Sequence, residues 1–140
     1  MPRIAPLFFA LFFLLGAARA PADSFIKAYP SGKRLYSYDG EFLKAYPSGK
    51  RLYRYSGGKV MEYPSGKVVY RFDEGFVKSY PSGKKLVKIE GSVVSEYPSG
   101  KRLLQFKEQF VTRYPSGKRV LQTSGIVPRA LVALVAMGAL

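Results

Sequence analysis

The side chains with the most regular spacing are the tyrosine and lysine of the pentapeptide Tyr-Pro-Ser-Gly-Lys, which occurs six times in the 140-residue chain. Each copy begins 17 residues after the previous one, the first at Tyr29 and the last at Tyr114. A phenol can stack on a base or a sugar, and an ammonium group binds phosphate or carboxylate. The spacing therefore favours a surface that binds a repetitive or extended ligand.

Catalysis by these residues is not expected. Tyr and Lys at this spacing form the catalytic pair of short-chain dehydrogenases only when they share a helix face, which Pro30 and Gly32 prevent here. The chain has no G-x-G-x-x-G loop, and its Gly-Lys pairs lack the upstream glycine of a phosphate loop. The absence of Cys and His excludes most zinc sites, Cys nucleophiles and His proton relays. The sequence indicates no enzyme and no cofactor.

The chain is strongly basic, with 23 Lys and Arg against 9 Asp and Glu. With Tyr as position 1 of each repeat, positions 5 and 6 supply eleven of these cations, interrupted only by Val68. They are Lys33, Arg34, Lys50, Arg51, Lys67, Lys84, Lys85, Lys101, Arg102, Lys118 and Arg119. We expect a ladder with rungs about 9.6 Å apart that binds anionic envelope lipid or polymer, with nucleic acid a less favoured ligand. The competing interpretation is that these cations keep the sheet soluble.

The motif tyrosines, like the cations, have one interpretation as ligand-binding residues and one as structural residues. They are Tyr29, Tyr46, Tyr63, Tyr80, Tyr97 and Tyr114. They could stack on a ligand, but packing beneath a proline turn is the commoner use of such a residue and is the interpretation we favour. Positions 8 and 10 of the repeat are apolar or aromatic in nearly every copy, and strand alternation predicts that they face the core.

Each repeat contains two turn signals and two short segments rich in Tyr, Phe, Val and Leu. Tyr-Pro-Ser-Gly suits a type I turn followed by a left-handed residue, and Asp39-Gly40 and its equivalents form the second turn. The sequence predicts an all-β fold, a repetitive antiparallel meander of about twelve short strands forming stacked hairpins. We expect an array roughly 50–60 Å long. A parallel solenoid with 17-residue coils is the alternative.

Tyr-Pro-x-Gly-Lys followed by an apolar-aromatic segment and a glycine turn resembles the MORN-type repeats, in particular the short bacterial variants of exported and antitoxin-like proteins. The resemblance covers residues 23–128. The 17-residue period is shorter than is usual in that family, and Ser31 and its equivalents stand where bacterial variants often have Asn. The resemblance implies a stacked-hairpin sheet that binds lipid or protein, and it implies no catalytic residue.

The two ends of the chain differ from the repeat array. Residues 1–22 have an early arginine, an apolar run from Leu7 to Leu15 and small residues before Asp23, which together predict a cleaved signal peptide. An uncleaved anchor is the alternative. Residues 129–140 are apolar and too short to cross a bilayer as a helix. We expect a short helix that caps the last repeat, and the alternative is contact with a membrane.

These features predict an exported, periplasmic or secreted protein without enzymatic activity. It would be associated with a membrane if residues 1–22 remain as an anchor or if residues 129–140 contact the membrane. It would be a binding or structural module that engages anionic cell-envelope material or a protein partner through its Lys and Arg ladder and its tyrosine-rich face. An alternative from another class is an antitoxin-like or inhibitor-like protein that binds one specific protein.

Overall fold

The structure is a computed structural model that describes residues 23–140. The predicted signal peptide, residues 1–22, lies outside the described residues. Within this range twelve strands are followed by one helix, which confirms the predicted all-β class and the short C-terminal helix. The elements are β1 (Ser24–Ala28), β2 (Arg34–Tyr38), β3 (Phe42–Ala45), β4 (Arg51–Ser56), β5 (Lys59–Glu62), β6 (Val68–Asp73), β7 (Phe76–Ser79), β8 (Lys85–Glu90), β9 (Val93–Glu96), β10 (Arg102–Lys107), β11 (Phe110–Arg113), β12 (Arg119–Ser124) and α1 (Arg129–Ala136).

Every strand pairs antiparallel with its sequence neighbours, and β1 also pairs with β12, so that the meander closes into a barrel. Antiparallel pairing contradicts the parallel solenoid. Closure corrects the expected open array of 50–60 Å, because Phe25 lies opposite Ser124 and the first and last strands are neighbours.

The physical reason for closure is a β-bulge in every repeat. In the first copy Ile26 pairs with Tyr36 and Lys27 pairs with Arg34, so that Leu35 is the extra residue. The same register shift recurs between each of the other odd strands and the even strand that follows it. A bulge bends its strand and increases the local twist, and six bulges in equivalent places curve the whole sheet in one direction.

The loops that contain the motif differ from the predicted type I turn. All six Tyr-Pro peptide bonds are cis. The hydrogen bond from Gly32 N to Ala28 O, 2.9 Å, spans five residues, whereas a type I turn is closed over four. A second bond from Ala28 N to Lys33 O, 2.8 Å, completes the loop. The expected positive φ of the motif glycine is confirmed, with 74° at Gly32.

The barrel interior holds the apolar positions of the repeat and helix α1. Apart from Thr123, positions 8 and 10 lie in or against the core, as strand alternation predicts, with Val87, Leu104 and Leu121 the most buried at position 8. The five consecutive helix residues from Ala130 to Leu134 are at most 2% exposed. Five residues make more than one helical turn, so the helix is covered on every side. It therefore lies inside the barrel, whereas the sequence predicted a cap on the last repeat.

The size of the barrel accounts for this arrangement. Twelve strands about 4.8 Å apart and tilted about 40° give a backbone radius of about 12 Å. One helix of about 10–12 Å diameter fills the space that remains inside the inward side chains. At the helix start, Arg129 donates a hydrogen bond to the carbonyl of Gly91 and lies 5.3 Å from the centre of the Phe106 ring. Among the described residues, no helix has the length and apolar character needed to span a membrane.

Three tyrosines of the interior have perturbed acidity. Burial raises the pKa of Tyr38, with a smaller effect from Tyr55, Asp39 and Glu41, and burial also raises the pKa of Tyr55. The pKa of Tyr53 is raised by burial and then by nearby Glu62. The cause in each case is that the phenolate would lose hydration inside the barrel.

Alkaline pH is therefore expected to destabilise the fold in part through these phenols. In the unfolded chain a tyrosine ionises near pH 10, whereas Tyr38 and Tyr55 stay neutral to higher pH in the barrel, so stability falls as pH rises through that range. Because other ionisable groups titrate in the same range, the measurement compares the pH dependence of the variant Y38F/Y55F with that of the wild type. The free energy of unfolding should fall less steeply above pH 10 in Y38F/Y55F than in the wild type. Identical slopes would contradict this assignment.

Candidate functional site

All six Tyr-Pro-Ser-Gly-Lys loops lie at one end of the barrel. Each connects an odd strand to the next even strand, and in an antiparallel meander such connections share an end. The structure thus brings all eleven predicted cations together, as a ring at one mouth of the barrel rather than as a straight ladder. We call this end the basic rim and define it by the six tyrosines at position 1 and the eleven cations at positions 5 and 6.

The spacing around the basic rim follows from the barrel radius. Six equivalent points on a circle of about 12 Å radius are about 12 Å apart, slightly more than the spacing of about 9.6 Å expected for a flat sheet. This distance exceeds the Debye length of about 8 Å at physiological ionic strength. Exposed lysines so placed repel one another weakly, and each can contact a separate anionic group.

The position-5 lysines are exposed cations of the rim that follow directly after the motif glycine. In every copy the motif serine accepts a hydrogen bond from the lysine backbone N–H, as between Ser31 Oγ and Lys33 N at 3.2 Å, which fixes the loop. All six lysines are exposed. Ion pairs within residues 23–140 involve cations of the barrel wall, such as Lys44 and Arg54, and none of the rim. The rim lysines keep their charge available for a ligand.

The position-6 cations are held against aromatic rings on the outside of the barrel. Arg51 lies 4.3 Å from the centre of the Phe42 ring and 5.8 Å from that of Tyr63. The two rings meet edge to face, 5.2 Å apart. Complete triads of this type are Phe25–Arg34–Tyr46, Phe42–Arg51–Tyr63, Phe76–Lys85–Tyr97 and Phe110–Arg119–Tyr29. Each triad orients its cation and couples neighbouring hairpins.

The triads also explain why position 6 is interrupted once. Lys59 near the end of the second copy replaces the phenylalanine of the triad, and the residue at position 6 of the third copy is Val68. A cation at that position would lie beside Lys59 instead of over an aromatic ring. Near the end of the fourth copy Val93 replaces the phenylalanine, and Arg102 of the fifth copy lies over the Tyr114 ring alone, 5.6 Å from its centre.

The motif tyrosines combine packing with exposure. Four of them pack edge to face against the phenylalanine of a triad, with ring centres 5.1–5.8 Å apart. All six nevertheless remain 36–46% exposed. The residues at the rim therefore present both phenol rings and ammonium groups to a ligand.

Acidic residues are concentrated at the opposite end of the barrel. Seven of the nine lie in or beside the connections from even to odd strands, or just before β1 at the same end. They are Asp23, Asp39, Glu41, Asp73, Glu74, Glu90 and Glu108. Several are paired with wall cations, for example Glu41 with Arg54 at 2.7 Å. The barrel is thus electrically polarised along its axis.

Within residues 23–140, no group of three or more acidic, His or Cys side chains is arranged to hold a metal ion. No protein-family model, curated protein or solved structure matches the chain. The function of the basic rim must therefore be argued from its own chemistry.

Proposed function

We propose that the protein is an exported, non-enzymatic binding module that docks end-on, through the basic rim, onto anionic material of the cell envelope. The ligand groups would be phosphate-bearing lipid headgroups at a surface. The observation that carries the proposal is the ring of six exposed position-5 lysines, none of which forms an ion pair within residues 23–140.

Three physical arguments support this mode of binding. A lysine near an anionic lipid surface contributes about 1 kcal/mol, so six of them can produce strong association without a deep pocket. Tyrosine is favoured at the interface between lipid and water, and the rim exposes six of them. The acidic residues at the far end orient the approach, because they are repelled by the surface that attracts the rim.

The test is sedimentation of the purified protein with lipid vesicles. We expect binding to vesicles that contain phosphatidylglycerol, little binding to pure phosphatidylcholine, and a steep loss between about 0.05 M and 0.5 M salt. The absence of binding to the anionic vesicles at low salt would overturn the proposal. Binding that is equal on both vesicle types, or insensitive to salt, would also contradict it.

A further inference from the structure

One of six equivalent residue pairs on the outer wall of the barrel is apolar. Position 16 of each copy pairs across the bulge with position 6 of the next. The pairs are Lys27 with Arg34, Lys44 with Arg51, Met61 with Val68, Lys78 with Lys85, Ser95 with Arg102 and Thr112 with Arg119. Every pair except the third contains at least one cation. Where the second copy meets the third, both strands therefore lack a charge at the same level of the wall.

No aromatic triad covers this apolar pair. The phenylalanine and the cation that form a triad elsewhere are replaced by Lys59 and Val68. Met61 and Val68 are both partly exposed. Val60, which precedes Met61 in β5, faces the core and is 1% exposed. The apolar pair is therefore presented to the outside and does not contribute to the interior.

Cations lie on both sides of the apolar pair. Lys59 pairs with Arg71 on the side of the apolar pair that is further from the rim. Lys59 and Met61 lie on the same outer face, because alternate residues of a strand share a face. Lys59 and Arg71 are both exposed, and neither forms an ion pair within residues 23–140. On the rim side the loop that joins β5 to β6 carries the exposed Lys67. We call Lys59, Met61, Val68 and Arg71 the β5–β6 patch.

We propose that the β5–β6 patch is a docking surface for an acidic protein segment with an apolar side chain at its centre. The unpaired cations select carboxylates, and the apolar pair gives the anchor around which such an interface excludes water. The barrel is closed and leaves no free edge for an added strand, so the partner docks through the side chains of a helix or loop. Because the patch lies on the wall, it stays accessible when the basic rim is occupied.

The probe is a synthetic glutamate-rich helical peptide with a leucine stripe, and its control carries alanine in place of leucine. We expect the leucine peptide to bind the wild-type protein at least tenfold more tightly than the control. M61K/V68R gives this pair the residues that Lys44 and Arg51 provide in the equivalent pair one repeat earlier. This variant adds two positive charges yet should weaken binding of the leucine peptide about tenfold, because the anchor is lost.

A second variant separates charge from the anchor. K59E/R71E keeps the apolar pair and should also weaken binding at least tenfold. Equal binding of the two peptides, or unchanged or tighter binding by M61K/V68R, would overturn the β5–β6 patch. Both variants leave the position-5 lysines intact, so binding of M61K/V68R to anionic vesicles should not decrease. Failure of the patch and failure of the rim are therefore distinguished by separate measurements.

Discussion

Removal of residues 129–140 is expected to abolish the cooperative fold. Leu131, Val132 and Leu134 are at most 2% exposed inside the barrel, and burial of such a side chain contributes about 1.5–3 kcal/mol. Their sum approaches the total stability of a typical domain, about 5–15 kcal/mol. Without the helix the interior would be a large void lined by apolar side chains. Thermal and denaturant unfolding should lose their sharp transition in the truncated chain.

Single substitutions keep this prediction testable if the truncated chain cannot be purified. Leu134→Ala should lower the free energy of unfolding by about 2–5 kcal/mol, because it leaves a cavity that the closed barrel cannot fill. Ile126→Ala is the matched control, since Ile126 is 86% exposed and its loss should change stability by less than about 0.5 kcal/mol. If truncation instead preserves stability and removes vesicle binding, residues 129–140 contact the membrane and the buried helix is not required for folding.

Neutralising lysines of the basic rim should reduce binding to anionic vesicles in steps. Each Lys→Gln change at position 5 removes about 1 kcal/mol, a factor of about five in affinity, so K33Q/K84Q should bind about 30-fold more weakly. Replacement of all six should leave no measurable binding at physiological salt. The folded state should be unaffected, because these side chains are exposed and form no ion pair within the described range.

A matched control decides whether position or total charge matters. K59Q/K107Q removes the same charge at the opposite end of the barrel, where the turns connect even to odd strands. It should change vesicle affinity less than threefold, because those lysines face away from a surface docked on the rim. If the two double variants lose affinity equally, the protein responds to net charge alone, and docking through the rim is wrong.

The repeat explains why much of this fold could be predicted from the sequence. Proline and glycine at fixed intervals define where strands end, and the alternation of Tyr36 and Tyr38 with polar residues defines the inward face. Barrel closure was missed because the extra residue at Leu35 has no sequence signal of its own; a leucine next to a tyrosine suits a regular strand equally well. The extra residue of each bulge is visible only in the strand lengths: even strands have five or six residues, whereas most odd strands have four.

The candidate site was predicted in composition but not in arrangement. The eleven cations could be listed from the repeat alone, yet a ring differs from a ladder only through the long-range pairing of β1 with β12. The triads were also missed, since Phe42, Arg51 and Tyr63 are separated in sequence and meet only because their strands are neighbours. The replacement of the triad phenylalanine by Lys59 just before the copy that carries Val68 was a signal in the sequence that could have indicated this contact.

The triad of Phe110, Arg119 and Tyr29 joins the last copy to the first, and this contact restricts how the gene can evolve. In an open array a duplicated unit simply lengthens the protein. Here each added or deleted repeat, which is one hairpin of two strands, would change the barrel radius by about 2 Å. Five copies would leave too little room for the helix, and seven would leave a gap around it. Recombination between such similar repeats readily changes their number, so selection must act on the count of copies as well as on the residues within them.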